Sequence, residues 1–224
     1  MSKERANIKK EKKPWPTKDA MEQIYDKNLW GGEVTYYSGE GSHDLLIIQP
    51  YINAVTSFLT SFKTPLIVCD LGCGDFNVGK ELIPYTKKYY AIDIVSDLII
   101  YHKKTFKTTQ VEFHCLDISQ DDLPLGDCAI VRQVLQHLSN AEVQRILVKL
   151  ASFRYVILTE HLPEGDFIPN KDIIAGQGTR LKKQSGLDIV AAPFYFKVKE
   201  TKILSAVILP NSKGIIITSL YTLF

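Results

Sequence analysis

Three acids and a glycine turn hold the residues of this chain best suited to chemistry. In Leu66 to Lys80, LIVCDLGCGDFNVGK, a strand-forming run delivers Asp70 and then Gly72-Cys73-Gly74. Glycines there let the backbone turn sharply against a ligand, and Asp70 suits a cofactor with a cationic amino-acid end. The alternative is a tight strand-to-helix turn without a ligand. Asn77 stands where a dinucleotide fingerprint needs its third glycine, and Gly79 falls two residues late. Asp93, with Ile94 beside it, closes a second strand-like run at the spacing where an acid accepts from ribose hydroxyls; capping a helix is its plainer role. Asp117 and Ile118 follow a third run, where Asp117 has the same capping alternative. Arg132 and Gln133 end a fourth. His137 just beyond it, and Glu160 and His161 at the end of a fifth, are the candidates for proton transfer. Histidine suits that task because its ordinary pKa is near neutrality, but His137 reads equally as a structural histidine. Glu160 and His161 have orientation of a substrate as their other role, and His43 is an outside candidate base.

These residues need a scaffold that brings strand ends together. The strand-like runs are Leu66 to Leu71, Tyr89 to Ile94, Val111 to Leu116, Ala129 to Val134 and Tyr155 to Glu160. They are separated by segments long enough for crossover helices, which predicts a parallel sheet with helices on both faces. Lys199 to Leu209 and Gly214 to Leu223 are joined only by Pro210 to Lys213 and must pair as a hairpin. Before the sheet, helices are predicted over about Lys18 to Lys27 and Asp44 to Phe62. Between them lies a loop rich in glycines and aromatics, with Tyr25, Trp30, Tyr36, Tyr37, Ser38 and Ser42 on or beside it. The reading is a lid over the cofactor, against the alternative of a surface loop packing its own aromatics.

The D-x-G-x-G pattern, with Asp93 and Asp117 at the next two strand ends and a fourth-strand motif at Arg132-Gln133, resembles class I S-adenosylmethionine (SAM) dependent methyltransferases. The resemblance implies a Rossmann-like α/β fold, a seven-stranded mostly parallel sheet with an antiparallel last strand. It implies SAM as cofactor and S-adenosylhomocysteine (SAH) as product. By the same resemblance Asp117 accepts from the adenine amino group with Ile118 beside the ring, and the Arg132-Gln133 segment borders cofactor and substrate. Tyr25, Trp30, Ser38 and Ser42 join Asp70, Gly72, Cys73, Gly74, Asn77, Asp93 and Ile94 as expected cofactor contacts. Ile24-Tyr25, Trp30-Gly31, Ser38 to Ser42, Asp75-Phe76-Asn77, Asn170-Lys171-Asp172, Gly176, Arg180 and Pro193-Phe194 look like a bacterial class I family of poorly defined substrate. Thr179, in place of an aromatic residue, and Leu71-Gly72, in place of alanine and proline, depart from it.

Composition narrows the rest. With 224 residues, 45% hydrophobic and 23% charged, one domain over residues 17–224 is expected, with a helical and lid segment at 17–64. A net charge of +2 gives no broad footprint for nucleic acid. Residues 1–16, with Lys3, Arg5, Lys9, Lys10, Lys12 and Lys13, read as a basic flexible tail. No apolar run suggests a signal or a membrane span, so a cytoplasmic protein is expected. Cys69, Cys73, Cys115 and Cys128 form no C-x-x-C pair, so neither zinc nor a disulfide framework is implied. The leading reading is methyl transfer to a small polar acceptor, oxygen slightly ahead of nitrogen, with Asn170, Asp172 and Arg180 as a candidate acceptor wall. An RNA or protein methyltransferase and a non-catalytic SAM-binding protein are the alternatives; no nucleic-acid module appears, and the oligomeric state is open.

Overall fold

A computed structural model describes residues 15–32, 36–211 and 213–224, so most of the basic tail lies outside the described residues. The apolar runs become β1 (Ile67–Leu71), β2 (Lys88–Asp93), β3 (Val111–Cys115), β4 (Cys128–Arg132), β5 (Tyr155–Leu162), β6 (Glu200–Ile208) and β7 (Ile215–Thr222). They form one sheet in the order β3-β2-β1-β4-β5-β7-β6. The pairs among β1 to β5 are parallel, and β7 runs antiparallel to both β5 and β6. Six strands therefore share one direction and the last strand opposes them, as the resemblance implies. Strand order reverses between β1 and β4, and a ligand cavity is expected outside the carboxyl ends at that point.

Alternation along β1 divides the core. Cys69 and Leu71 face one layer with Val143, Ile146, Leu147 and Leu150 of α4 (Asn140–Leu150). Val68 faces the other, with Ile48, Tyr51, Val55 and Leu59 of α2 (Leu45–Thr60). This two-residue period puts Asp70 on the α2 side. Helix α1 (Thr17–Asp26) packs Met21, Ile24 and Tyr25 on the α4 layer. Helix α3 is Ser96–Thr105. Sequence marks the start of α4 well: Ser139 accepts from the Glu142 backbone while Glu142 bonds back to the Ser139 N–H, a capping box.

The expected crossover helices are only partly present. After β1 the chain makes short 3-10 turns at Gly79–Glu81 and Ile83–Tyr85 instead of an α-helix. Gly79, Pro84 and Phe76, which is left-handed at φ +62°, break the helical run. Phe76 turns inward and packs on the rings of Tyr89, Phe106 and Phe113. No described α-helix links β3 to β4 or β5 to β6; the latter connection is a long cap held by side-chain bonds. β4 also ends two residues earlier than predicted, because Gln133 takes φ +57°. Among the described residues no helix is long and apolar enough to cross a membrane, and none group as a metal cluster.

Candidate active site

A cavity of about 500 Å³ opens at the carboxyl ends of the central strands, beneath the N-terminal segment. Its floor is the glycine turn. Gly72 (φ +87°) and Gly74 (φ +55°) both occupy the left-handed region. The N–H groups of Gly72 and Cys73 donate to the Ile92 carbonyl at 2.8 and 2.9 Å, and that of Gly74 donates to Asp93 Oδ2 at 3.0 Å. A Cβ on Gly74 would lie 2.6 Å from Ser38 Oγ, so the turn and the segment above it meet without room for a side chain.

Asp70 is buried and accepts from the Tyr89 hydroxyl at 2.9 Å through Oδ2. Burial pushes its carboxyl up to about 7, against the pull of Tyr89 and of Arg132. Asp93 takes a second backbone bond, from Val95 to Oδ1 at 3.0 Å; burial raises its pKa, and these bonds from Val95 and Gly74 oppose the rise. At Asp117 burial also disfavours the charge, but bonds from the Ser119 and Gln120 side hold it below the usual range. The Ser119 N–H and the Gln120 amide each take one Asp117 oxygen, at 2.8 and 2.6 Å. No helix follows it, so the carboxylate caps a turn while lining the cavity.

Arg132 donates to Ser42 Oγ at 3.1 Å and to the Gly41 carbonyl, and lies 5.0 Å from the Tyr51 ring centroid. Its Nε is buried with no partner. A carboxyl kept partly protonated for want of a cation, and a buried guanidinium N–H for want of an acceptor, together fit the two charged ends of an amino acid. The residues present therefore fit the methionine end of SAM.

The N-terminal segment is latched to the glycine turn by reciprocal bonds. The Ser38 N–H donates to Asp75 Oδ2 at 2.7 Å and the Asp75 N–H to Ser38 Oγ at 2.8 Å. Ser38 Oγ also pairs with the Tyr25 hydroxyl at 2.8 Å, and His43 Nε2 with Asp75 Oδ2 at 2.7 Å. Trp30 reaches across to His137, ring centroids 5.4 Å apart. On the far side the Gln177 amide donates to the Leu29 carbonyl at 2.8 Å. Tyr25, Trp30, Ser38 and Ser42 line the cavity, whereas Tyr36 packs on Tyr25 and Tyr101, and Tyr37 stacks on His43.

His137 sits in a 3-10 turn, Leu135–His137. A carbonyl, Gly176 O, faces its Nδ1 at 3.2 Å, and the Gln136 amide nitrogen faces its Nε2 at 3.2 Å. Nδ1 therefore carries the hydrogen and Nε2 accepts. Burial pushes its pKa down to about 4, so the ring is neutral at pH 7.

The structure brings Asp70, Gly72, Cys73, Gly74, Asp93, Ile94, Asp117, Ile118, Arg132, Gln133 and His137 to one cavity, and leaves three of the expected site residues off its wall. Asn77 instead donates from its side chain to the Ser42 carbonyl at 2.8 Å. Glu160 is sealed behind the Gln136 turn, 3% exposed, with neither carboxyl oxygen partnered; burial raises it to about 8 against the field of Arg180. His161 Nε2 donates to the Lys213 carbonyl at 2.7 Å, in the β6–β7 hairpin. The acceptor wall expected from the β5–β6 connection is also revised. Arg180 is off the cavity wall and is not a surface ion pair; it is 1% exposed, donates to the carbonyls of Leu135 and Leu138 and to Asn140 Oδ1, and keeps a buried Nε without a partner. Asn170 braces Asp188 and Ala192, and Asp172 accepts from the Asn140 N–H.

Tyr51, Gln136, Gln177, Thr17 and Glu142 also line the cavity without having been expected there. Gln136 had a signal in its neighbour His137. Tyr51 lies inside a helix that reads as plain core, and the Thr17 hydroxyl bonds to Glu142 across 125 residues, a contact that no local pattern announces.

Residues 69–152 match the family Methyltransf_11, described as a methyltransferase domain. The fold is that of the N-methyltransferase NodS from Bradyrhizobium japonicum WM9 in complex with SAH. That match has a TM-score of 0.68 at 12% identity, over 91% of this chain and 98% of that one. Magnesium protoporphyrin IX methyltransferase from Synechocystis PCC 6803 with bound SAM aligns at a TM-score of 0.57 and 18% identity, over 93% and 98%. Human N-acetylserotonin methyltransferase with SAM aligns at 0.57 and 16%, over 93% of this chain and 60% of that one. At these identities the likeness is one of fold. A search of curated proteins found no match.

Proposed function

We propose, for a chain that carries a class I SAM-dependent methyltransferase domain, that it transfers the methyl group to a small polar acceptor entering beside Trp30 and His137. The observation that carries this reading is the cavity of about 500 Å³, overhung by the described residues of the N-terminal segment, 25–32 and 36–42, with Ser38 latched to the glycine turn. A roof held by reciprocal hydrogen bonds suits a small acceptor better than a macromolecule.

When bound, SAM supplies an electrophilic methyl on a sulfonium. In this reading Asp70 takes the ammonium end, and Arg132 with its free Nε takes the carboxylate. Asp93 accepts from the ribose hydroxyls, Asp117 from the adenine amino group, and Ile94 and Ile118 flank the base. The glycine turn brings backbone close to the cofactor. Trp30, His137, Gln133 and Gln136 wall the acceptor side and exclude water. Positioning then supplies most of the acceleration, since in-line displacement needs alignment above all.

Incubation with methyl-labelled SAM and a small-molecule library tests the proposal. Label in a small-molecule product, with SAH released in equal amount, is expected. Label entering only RNA or protein, from an enzyme that binds SAM, would refute the acceptor class.

A further inference from the structure

The acceptor end adjoins the cofactor end at Gly41, whose carbonyl accepts from Arg132. Trp30 touches His137, Gly39 lies under Trp30, and Gly41 is pressed against the Gln133 side chain. Glu40 stands between those two glycines, exposed, and lines the same cavity. With Gln136, Gln177 and Thr179, this end offers an aromatic face, neutral amides and one carboxylate. Among the described residues lining the whole cavity, the carboxylates are Glu40, Asp70, Asp75, Asp93, Asp117 and Glu142, against Arg132 as the only Lys or Arg. Two Arg132 nitrogens are already committed to Ser42 and Gly41. Apart from the cofactor's own sulfonium, an anionic acceptor would find no free side-chain cation on this wall and a surplus of carboxyl groups.

Proton transfer points the same way. The His137 Nε2 lone pair is engaged by Gln136, and its Nδ1–H by Gly176. Glu160 and His161 are off the wall. A hydroxyl acceptor profits from a base that removes its proton near the transition state, and among the described residues this end presents only the exposed Glu40.

We propose that the acceptor is a planar nitrogen compound without negative charge, seated on Trp30, and that Glu40 is the residue that selects against anions. This rests on the methyltransferase reading above and reverses the slight preference for oxygen drawn from sequence. The nitrogen lone pair forms the new N–C bond as the sulfonium S–C bond breaks, with the bonding pair staying on sulfur. The surplus proton of the cationic product, on the alkylated nitrogen of an amine or on the other ring nitrogen of an azole, departs to solvent. The carboxylate-rich wall favours the positive charge that arrives on nitrogen.

Benzimidazole, phenol and benzoate are suitable probes for the SAH-loaded protein by ligand-observed NMR, and for methyl transfer from SAM by mass spectrometry. SAH binding is measured first, so that failure of the methyltransferase reading shows separately. Benzimidazole is expected to bind and be N-methylated, with benzoate weaker by about tenfold or more. Glu40→Lys should narrow or invert that ratio, and Glu40→Gln should fall between. Benzoate binding as well as benzimidazole, phenol methylated faster than benzimidazole, or no benzimidazole binding to protein that holds SAH would each overturn the proposal. So would a ratio unmoved by Glu40→Lys.

Discussion

Asp93 and Glu160 both stand at the carboxyl end of a buried parallel strand, yet their surroundings differ. After β1 the glycine turn folds back onto the Ile92 carbonyl and leaves open space in front of Asp70 and Asp93. After β4 the Leu135–His137 turn and the β5–β6 cap fill the equivalent space. Arg180 commits its two terminal nitrogens to two backbone carbonyls and Asn140, leaving only its Nε unpartnered, and Glu160 is shut in behind. A strand-end position brings a side chain to the right edge of the sheet; the loop that follows decides whether it meets a ligand.

The largest test of this contrast is Arg180→Met, which leaves two turn carbonyls without their donor. It should cost about 3 kcal/mol of stability or more, measured by urea unfolding, while the folded fraction keeps its SAM affinity. Asp93→Ala should act on binding: loss of hydrogen bonds to a charged group, about 1.5–3 kcal/mol, weakens SAM by about 10- to 100-fold, and the Gly74 and Val95 N–H groups left without their acceptor lower the unfolding midpoint as well. If Arg180→Met abolished SAM binding in a folded protein, the two ends would not be separable.

Glu160 supplies a pH test. Its folded pKa, about 8, lies above the ordinary carboxyl value, so the folded state holds a proton that the unfolded state has lost between those values. Its contribution to stability is therefore greatest at low pH and declines as pH rises towards 8, by up to about 1.4 kcal/mol per pH unit. Glu160→Gln should flatten that stretch of the stability profile; an unchanged slope would mean that Glu160 is ionised in the fold. The smallest effect is expected from Ser38→Ala, which removes the hydroxyl shared by Tyr25 and Asp75. About 1 kcal/mol, or several-fold in SAM affinity, should be lost by calorimetry, and no loss would make the latch dispensable.

What sequence revealed follows the same division. The sheet, the antiparallel β7 and the convergence of the glycine turn and the strand-end acids on one cavity were legible, because apolar runs, glycines and acids at strand ends are local signals. The short 3-10 turns after β1 hid behind a helical-looking composition, since burial of Phe76 among distant rings set that backbone. Glu160, His161 and Arg180 looked chemical because their types and edge were right. Their partners, Leu135, Leu138 and the hairpin carbonyl at Lys213, lie far along the chain. Tyr51 reached the cavity through the packing of α2 on the sheet, which no spacing in its own helix records.

The central claim is that the cavity holds SAM with its cationic end on Asp70. Calorimetric titration with SAM, SAH and NAD, each in two buffers of different ionisation enthalpy at pH 6, tests it most directly. Asp70, raised to about 7 by burial, is mostly protonated there in the empty site and should give up its proton to accommodate the ammonium. Saturable binding of SAM and SAH with release of close to one proton, and none of NAD, is the predicted result. Binding of NAD alone, or SAM binding with no proton released, would contradict it.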